Sequence, residues 1–227
     1  MDADLIFLFD ENAGHESLVI KGENYKYLFK VRRHVVGDTI GFRHPKQSEI
    51  LHTYNVASLD GRQAKLELQE SRLAEVKAKK VLHIGWCIID AKSVEKVLPA
   101  LNELGVEAIS FIHCDRSQKN FKPDFKRYER ILHSSMQQCG RSEMMRFETV
   151  ASVEAFVAAH PDCLVFDFCD TPFDGTQQAS TVLIGAEGGF SEAEREWLKK
   201  QVTCRLDTAM VLRSETAAVA ISSKVLL

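Results

Sequence analysis

Residues 184–196 read IGAEGGFSEAERE. The apolar run 181–184 enters three glycines within five residues and leaves through Ser191 and Glu194, whose spacing is that of a capping box at a helix start. The segment is a strand-to-helix corner with no Cβ at three positions. Glycine tolerates positive φ and lets a ligand approach the main chain, and free amides at a helix start favour an anion or carboxylate. A tight turn needs fewer glycines and no Glu187. A dinucleotide fingerprint places GxGxxG after the first strand of its unit, and a P-loop ends in Gly-Lys-Ser/Thr, whereas this corner lies late in the chain and ends Gly189-Phe190-Ser191. Small-ligand binding is the reading that uses all of its features, with Gly188 expected to be a position where a β-branched residue would fill the pocket and resist positive φ.

A second corner follows in VLRSETAAVAISSKVLL, residues 211–227. Ser214 has the chemistry of an N-cap, Glu215 suits a first helical turn, and Ala217, Ala218, Val219 and Ile221 give a helix with small apolar sides. Arg213 then stands at the helix start. In a parallel sheet this corner shares an edge with the glycine corner, where such sheets bind ligands.

Upstream, apolar segments (81–89, 106–112, 163–168, 181–184 and 203–207) alternate with helical patterns (93–104, 122–138, 151–159, 191–201 and 214–226), the grammar of a mostly parallel α/β sheet. Helix 93–104 carries Val94, Val97, Leu98, Leu101 and Leu104 at core spacing and stops at Gly105; Pro99 inside it predicts a kink or a late start. Before SRLAEVKAKK, at 71–80, the pattern differs. LIFLF, DTIGF, EILHTYNVA and AKLELQE are short strands broken at Gly37-Asp38, His44-Pro45 and Asp60-Gly61, a small all-β module. One helical interruption, ENYKYLFKVRR, is expected to put Tyr27, Leu28 and Val31 on its apolar face and Lys30, Arg32 and Arg33 on the other. The expected domains are 1–72 and 73–227.

With 45% hydrophobic and 27% charged residues in 227, the composition is that of a globular protein. No apolar run approaches the roughly 20 residues that span a bilayer, and the acidic start MDADLIFLFDE is unlike a signal peptide. A cytoplasmic location without membrane association is expected. Six scattered cysteines, with no CxxC, HExxH or paired Cys/His set, point to buried reduced thiols and no metal. The net charge of −3 conceals segregation: residues 26–46 hold six Lys/Arg against one acid, and residues 116–146 eight against three. Two such windows can offer phosphates a basic face while the remainder stays acidic.

Together, IGAEGGFSEAE and VLRSETAAVA resemble the paired signatures of the bacterial 16S rRNA uridine-N3 methyltransferases, members of the SPOUT class. YLFKVRRHVVGD resembles their N-terminal barrel motif, LNELGV and DRSQK the first helix and following strand end, and QQCGR the central helix. The resemblance implies a PUA-like all-β barrel followed by an α/β domain with a C-terminal trefoil knot, a homodimer, S-adenosylmethionine as methyl donor, and 16S rRNA in the small ribosomal subunit as partner. It makes the glycine loop and the Arg213 corner two walls of one pocket. The chain departs from the pattern at Ala186 (usually Pro), Tyr27 (His), Arg32 (Leu), Gln137 (Glu), Cys139 (Ser) and in RHPKQSE after Phe42.

On this resemblance the main chain of Ile184, Gly185, Gly188 and Gly189 holds the cofactor, with Leu206, Val211 and Leu212 as an apolar wall around adenine. Uracil N3 must lose a proton, so Arg213 is expected to stabilise the developing anion, and Glu187 to orient the cofactor ammonium or act as base. Glu215 and Thr216 position the substrate; Lys30, Arg32, Arg33, Arg116 and Arg141 contact RNA. The donor is already cationic, so the chemistry calls for no metal. The competing readings are a non-catalytic RNA-binding assembly factor and a related methyltransferase acting on another RNA.

Overall fold

The computed structural model describes residues 7–118, 122–175, 177 and 179–227. Leu5 and Ile6 of the expected first strand, and Lys119 of DRSQK, lie outside them. The chain divides into two compact units: one is the chain up to Lys77 with Met136–Glu143, the other Ala78–Ser135 with Met144–Leu227.

The first unit is a five-stranded sheet. Its strands are β1 (Phe7–Phe9), β2 (Ser17–Lys21), β3 (Thr39–His44), β4 (Gln47–Leu59) and β5 (Gln63–Leu73), in the order β1-β3-β4-β5-β2. Only β1 and β3 pair parallel; the other pairs are antiparallel. Alternation is visible in β2, where Leu18 and Ile20 are buried and their neighbours exposed. The Asp60 carboxylate accepts from the amides of Arg62 and Gln63 and closes the turn between β4 and β5. Arg43, counted in the basic window, is buried: it donates to the carbonyls of Ser48 and Ala74 and lies over the Phe7 ring at 4.7 Å. Burial lowers its pKa.

Between β2 and β3 the chain forms α1 (Gly22–Tyr25), which widens into a π-helical turn, Lys26–Val31. This corrects the expected helix. A π turn takes more than 3.6 residues, so the buried face is Tyr25, Leu28 and Phe29, while Tyr27 and Val31 are 40% and 69% exposed.

The second unit is a six-stranded parallel sheet of β6 (His83–Cys87), β7 (Ala108–Ile112), β8 (Arg146–Val150), β9 (Leu164–Phe166), β10 (Thr181–Ile184) and β11 (Thr203–Cys204). The order is β11-β9-β10-β6-β7-β8. Its helices are α2 (Ala91–Leu104), α3 (Phe125–Cys139, ending in the residues grouped with the first unit), α4 (Val153–Ala159), α5 (Glu192–Leu198) and α6 (Ser214–Leu226). The central strands are apolar along their length, as burial on both faces requires, and β7 is buried at all five positions. One face packs rings: Phe111 lies 5.7 Å from Tyr128 and 6.2 Å from Phe125 and Phe147.

Helix α2 begins at Ala91, where Asp90 caps the amides of Lys92 and Ser93, and runs through Pro99 to an αL cap at Gly105. The late start is therefore absent; the Ser135 hydroxyl donates to the Pro99 carbonyl instead. The sheet order reverses between β6 and β10. From β6 the chain steps outward through α2, β7, α3 and β8, then returns to β9 on the far side of β10. Crevices at the carboxyl ends of strands form at such reversals.

Candidate cofactor pocket at the glycine corner

At the carboxyl end of β10 the main chain turns through Gly185–Gly189, closed by the Gly189 amide donating to the Ala186 carbonyl at 2.8 Å. The left-handed residue is Gly189, at φ +67, and not Gly188. A Cβ on Gly185 would lie 3.1 Å from the Gly189 Cα, too close to fit without a shift of the loop, whereas Gly189 is constrained by its positive φ and not by space, since a Cβ there would meet Asp167 Oδ1 at 3.4 Å. Gly188 is exposed, and its carbonyl accepts from the Arg116 guanidinium. The predicted capping box is present: Ser191 Oγ accepts from the Glu194 amide at 3.2 Å, and Glu194 Oε2 from the Ser191 amide at 2.8 Å. Glu194 Oε1 also accepts from the Asp115 amide, anchoring α5 to the end of β7.

Ser214 differs from expectation. It is the first residue of α6 and makes no cap. Buried, its hydroxyl donates to the Gly185 carbonyl at 2.7 Å and accepts from the Trp86 indole at 2.8 Å. A tertiary partner 128 positions away has displaced the local amide. The start of α6 is thereby fixed to the glycine corner.

Between β11 and α6, residues 205–213 return over the carboxyl ends of β9 and β10 to α6, which packs on α2. They enclose a cavity of about 330 Å³ lined by Phe166, Asp167, Ile184, Gly185, Gly189, Leu206, Val211, Leu212, Ala217 and Ile221, among others. That volume suits a small ligand, since such pockets begin near roughly 300 Å³. Asp167 is held by two bonds from Arg195, at 2.8 and 3.3 Å. The rim is apolar and open: Phe168 and Met210 are each 69% exposed.

Of the residues expected at the cofactor, Ile184, Gly185, Gly189, Leu206, Val211 and Leu212 line this cavity; Glu187 and Gly188 do not. Glu187, Arg213 and Thr216 are exposed and also outside the lining. Glu215 is 4% exposed and likewise outside the lining, and its Oε2 has no hydrogen-bond partner among the described residues. Lys30, Arg32, Arg33 and Arg116 are exposed, whereas Arg141, expected to meet RNA, is 5% exposed and has little surface to offer a phosphate.

The cysteines also depart from expectation. Cys87, Cys163 and Cys204 are buried, but Cys114, Cys139 and Cys169 are partly exposed. Cys87 and Cys114, 27 positions apart, are neighbours whose thiols interact beside the glycine corner. The interaction with Cys87, aided by the Ser117 hydroxyl at 3.1 Å, lowers the Cys114 pKa to about 7; the same interaction and burial push Cys87 up. No sequence spacing announces this pair.

The chain carries an RNA methyltransferase domain: residues 76–226 match the RNA methyltransferase domain family. Over 221 residues the chain is 37% identical to the ribosomal RNA small subunit methyltransferase E of Helicobacter pylori strain 26695, covering 96% of this chain and 97% of that one. The Aquifex aeolicus protein of the same name is 26% identical, with the same coverage. The chain belongs to the ribosomal RNA small subunit methyltransferase E family. Its fold matches the crystal structure of the Neisseria gonorrhoeae family member bound to S-adenosylmethionine, with a TM-score of 0.74 at 18% identity over 96% of this chain and 95% of that one.

Proposed function

We propose that this protein transfers a methyl group from S-adenosylmethionine to N3 of a uridine in the 16S rRNA of the small ribosomal subunit. The observation that carries the reading is the cavity between Gly185–Gly189 and Leu206–Leu212, in a chain whose family acts on small-subunit rRNA. The lining fits the cofactor. Gly185 and Gly189 keep one wall free of side chains, Leu206, Val211, Leu212 and Ile221 offer apolar surface to adenine, and Asp167 offers a carboxylate. When bound, S-adenosylmethionine supplies an electrophilic methyl group on a sulfonium.

The protein's own work is to position N3 and remove its proton. Glu215 is the acceptor we favour, because its Oε2 is unused and it stands on the first turn of α6, two residues before the cavity-lining Ala217. Glu187, exposed on the loop, is left the role of orienting the cofactor ammonium. Arg213, the exposed N-cap residue of α6 whose side chain makes no cap hydrogen bond, supplies the positive charge that stabilises negative charge on the uracil oxygens. Thr216 orients the substrate, and Gly188 contributes main chain to the loop. Lys30, Arg32, Arg33 and Arg116 hold phosphates.

We further assign a PUA-like barrel at 1–72, a SPOUT domain at 73–227 whose C-terminal segment is threaded as a trefoil knot, a homodimer and a cytoplasmic location. The exposed apolar rim at Phe168, Met210 and Val211 supports a second copy covering the pocket mouth. The test is methyl transfer from labelled S-adenosylmethionine to small subunits from a strain lacking this protein, with the nucleoside identified by mass spectrometry. N3-methyluridine in 16S rRNA is expected; label in another nucleoside, or cofactor binding without transfer, would overturn the reading.

A further inference from the structure

The π-helical turn of the first unit carries a feature that the pocket does not explain. Its inner face, Tyr25, Leu28 and Phe29, is anchored in the core, with the Tyr25 and Phe29 rings 5.1 Å apart. Its outer face presents Tyr27, and the Arg32 guanidinium lies over that ring at 5.9 Å from the centroid, within cation–π range. Val31, Val35 and Val36 stand beside it, each more than half exposed. Residues 24–37 include Lys26, Lys30, Arg32 and Arg33 and no acid. Lys26 is paired with Glu23; among the described residues the other three cations make no ion pair.

The backbone is shaped to hold this display. The Arg32 amide donates to the Tyr27 carbonyl across five residues, and the His34 amide to the Leu28 carbonyl across six. Between them Arg33 adopts φ +63, the left-handed conformation that helix ends normally reserve for glycine. Asp38 fixes the exit by accepting from the Val35 amide at 3.0 Å and contacting His34 at 3.1 Å. Wide helical turns and non-glycine residues held left-handed recur at functional sites.

We infer that Tyr27, with the Arg32 guanidinium over its ring, is a platform for an unpaired RNA base, with Lys30 and Arg33 holding the flanking phosphates. The inference rests on the reading of the chain as an RNA methyltransferase and deepens it by naming a single-stranded segment as the element grasped. Bases splayed from unpaired RNA stack on aromatic rings and guanidinium planes, whereas a duplex keeps its bases stacked on one another. Exposed apolar groups interleaved with cations match the alternation of base and phosphate along such a strand.

The test uses the full-length protein and fluorescence anisotropy with a labelled twelve-nucleotide oligouridine, alone and paired with oligoadenine. Tyr27→Leu is expected to weaken single-strand binding about 5- to 100-fold, the loss of one stacked base, with the salt dependence unchanged and duplex binding little affected. Tyr27→Phe should restore affinity to within about threefold. Arg33→Gly should flatten the salt slope by about 0.7 without lowering the melting temperature. Unchanged single-strand affinity in Tyr27→Leu, or equal losses on single strand and duplex, would overturn the platform. So would a wild-type protein that binds neither RNA, which would leave an acidic protein as the partner. Methyl transfer by the wild type separates the two readings: transfer with no Tyr27 effect removes only the platform, and a Tyr27 effect with no transfer removes only the proposed activity.

Discussion

Ser214→Ala is the perturbation whose size follows most directly from the structure. The hydroxyl uses both of its roles, donating to Gly185 and accepting from Trp86, and both side-chain partners in this exchange are shielded: Trp86 is 0% exposed and Ser214 5%. Removing it leaves an indole N–H and a carbonyl without their partners. A buried polar group left unsatisfied costs about 1–3 kcal/mol. The Gly185 carbonyl lies at the cavity, where water can replace the lost donor, so the total should be about 2–4 kcal/mol. At about 2–4 °C per kcal/mol for a chain of this size, the melting temperature should fall by about 5–15 °C. Because Gly185 lines the cavity, affinity for S-adenosylmethionine measured by calorimetry should fall as well. Trp86→Phe removes the indole donor, so in the double variant the Ser214→Ala change should cost about 1–2 kcal/mol less than it does alone. A Ser214→Ala destabilisation below about 0.5 kcal/mol in urea, or a cycle that is additive, would refute the claim that this hydroxyl ties α6 to the glycine corner.

Gly189→Ala should cost about 1–2 kcal/mol in urea denaturation, the penalty of a left-handed alanine, while Gly188→Ala stays within about 0.5 kcal/mol because its added Cβ meets only the flexible Arg116 chain at 3.1 Å; equal effects would show that the backbone constraint is misplaced. Arg213→Ala should leave stability and cofactor affinity unchanged and lower single-turnover transfer about 10²- to 10³-fold, and full activity would remove Arg213 from the mechanism. Iodoacetamide should alkylate Cys114 with a pH midpoint near 7, below the roughly 8.5 of a free thiol. The thiolate is the reactive form, so the rate should rise through that pH and then level; in Cys87→Ala the midpoint should move up, and a midpoint indifferent to Cys87 would exclude the thiol pair.

The parallel sheet was legible because segments such as 81–89 and 106–112 are mostly apolar, interrupted only at His83, Glu107 and Ser110, and helix 93–104 keeps its core spacing despite Pro99. Strand β8 was not, since RFETV pairs on one side only and shows no buried residue. The five-residue β2 escaped for a related reason: SLVIK alternates, but too briefly to stand out against the helix that follows. Where the backbone departs from 3.6 residues per turn, a periodic reading assigns the wrong face, as at Val31. The capping box at Ser191 was legible because it is local. Ser214 has the same chemistry at a helix start, yet its partners come from β6 and the loop after β10, and no sequence window contains them. Gly185, Gly189, Val211 and Leu212, which belong to the paired signatures, line one cavity with Leu206, which the family resemblance added. The burial of Glu215 and the Cys87–Cys114 pairing depend on packing between distant segments.

The most direct measurement is hydrogen–deuterium exchange of the protein with and without S-adenosylmethionine. New protection is expected in peptides covering Ile184–Phe190 and Leu206–Leu212, the two sides of the cavity. Protection confined to other peptides, or none at saturating cofactor, would contradict the assignment of the glycine corner as the methyl-donor pocket.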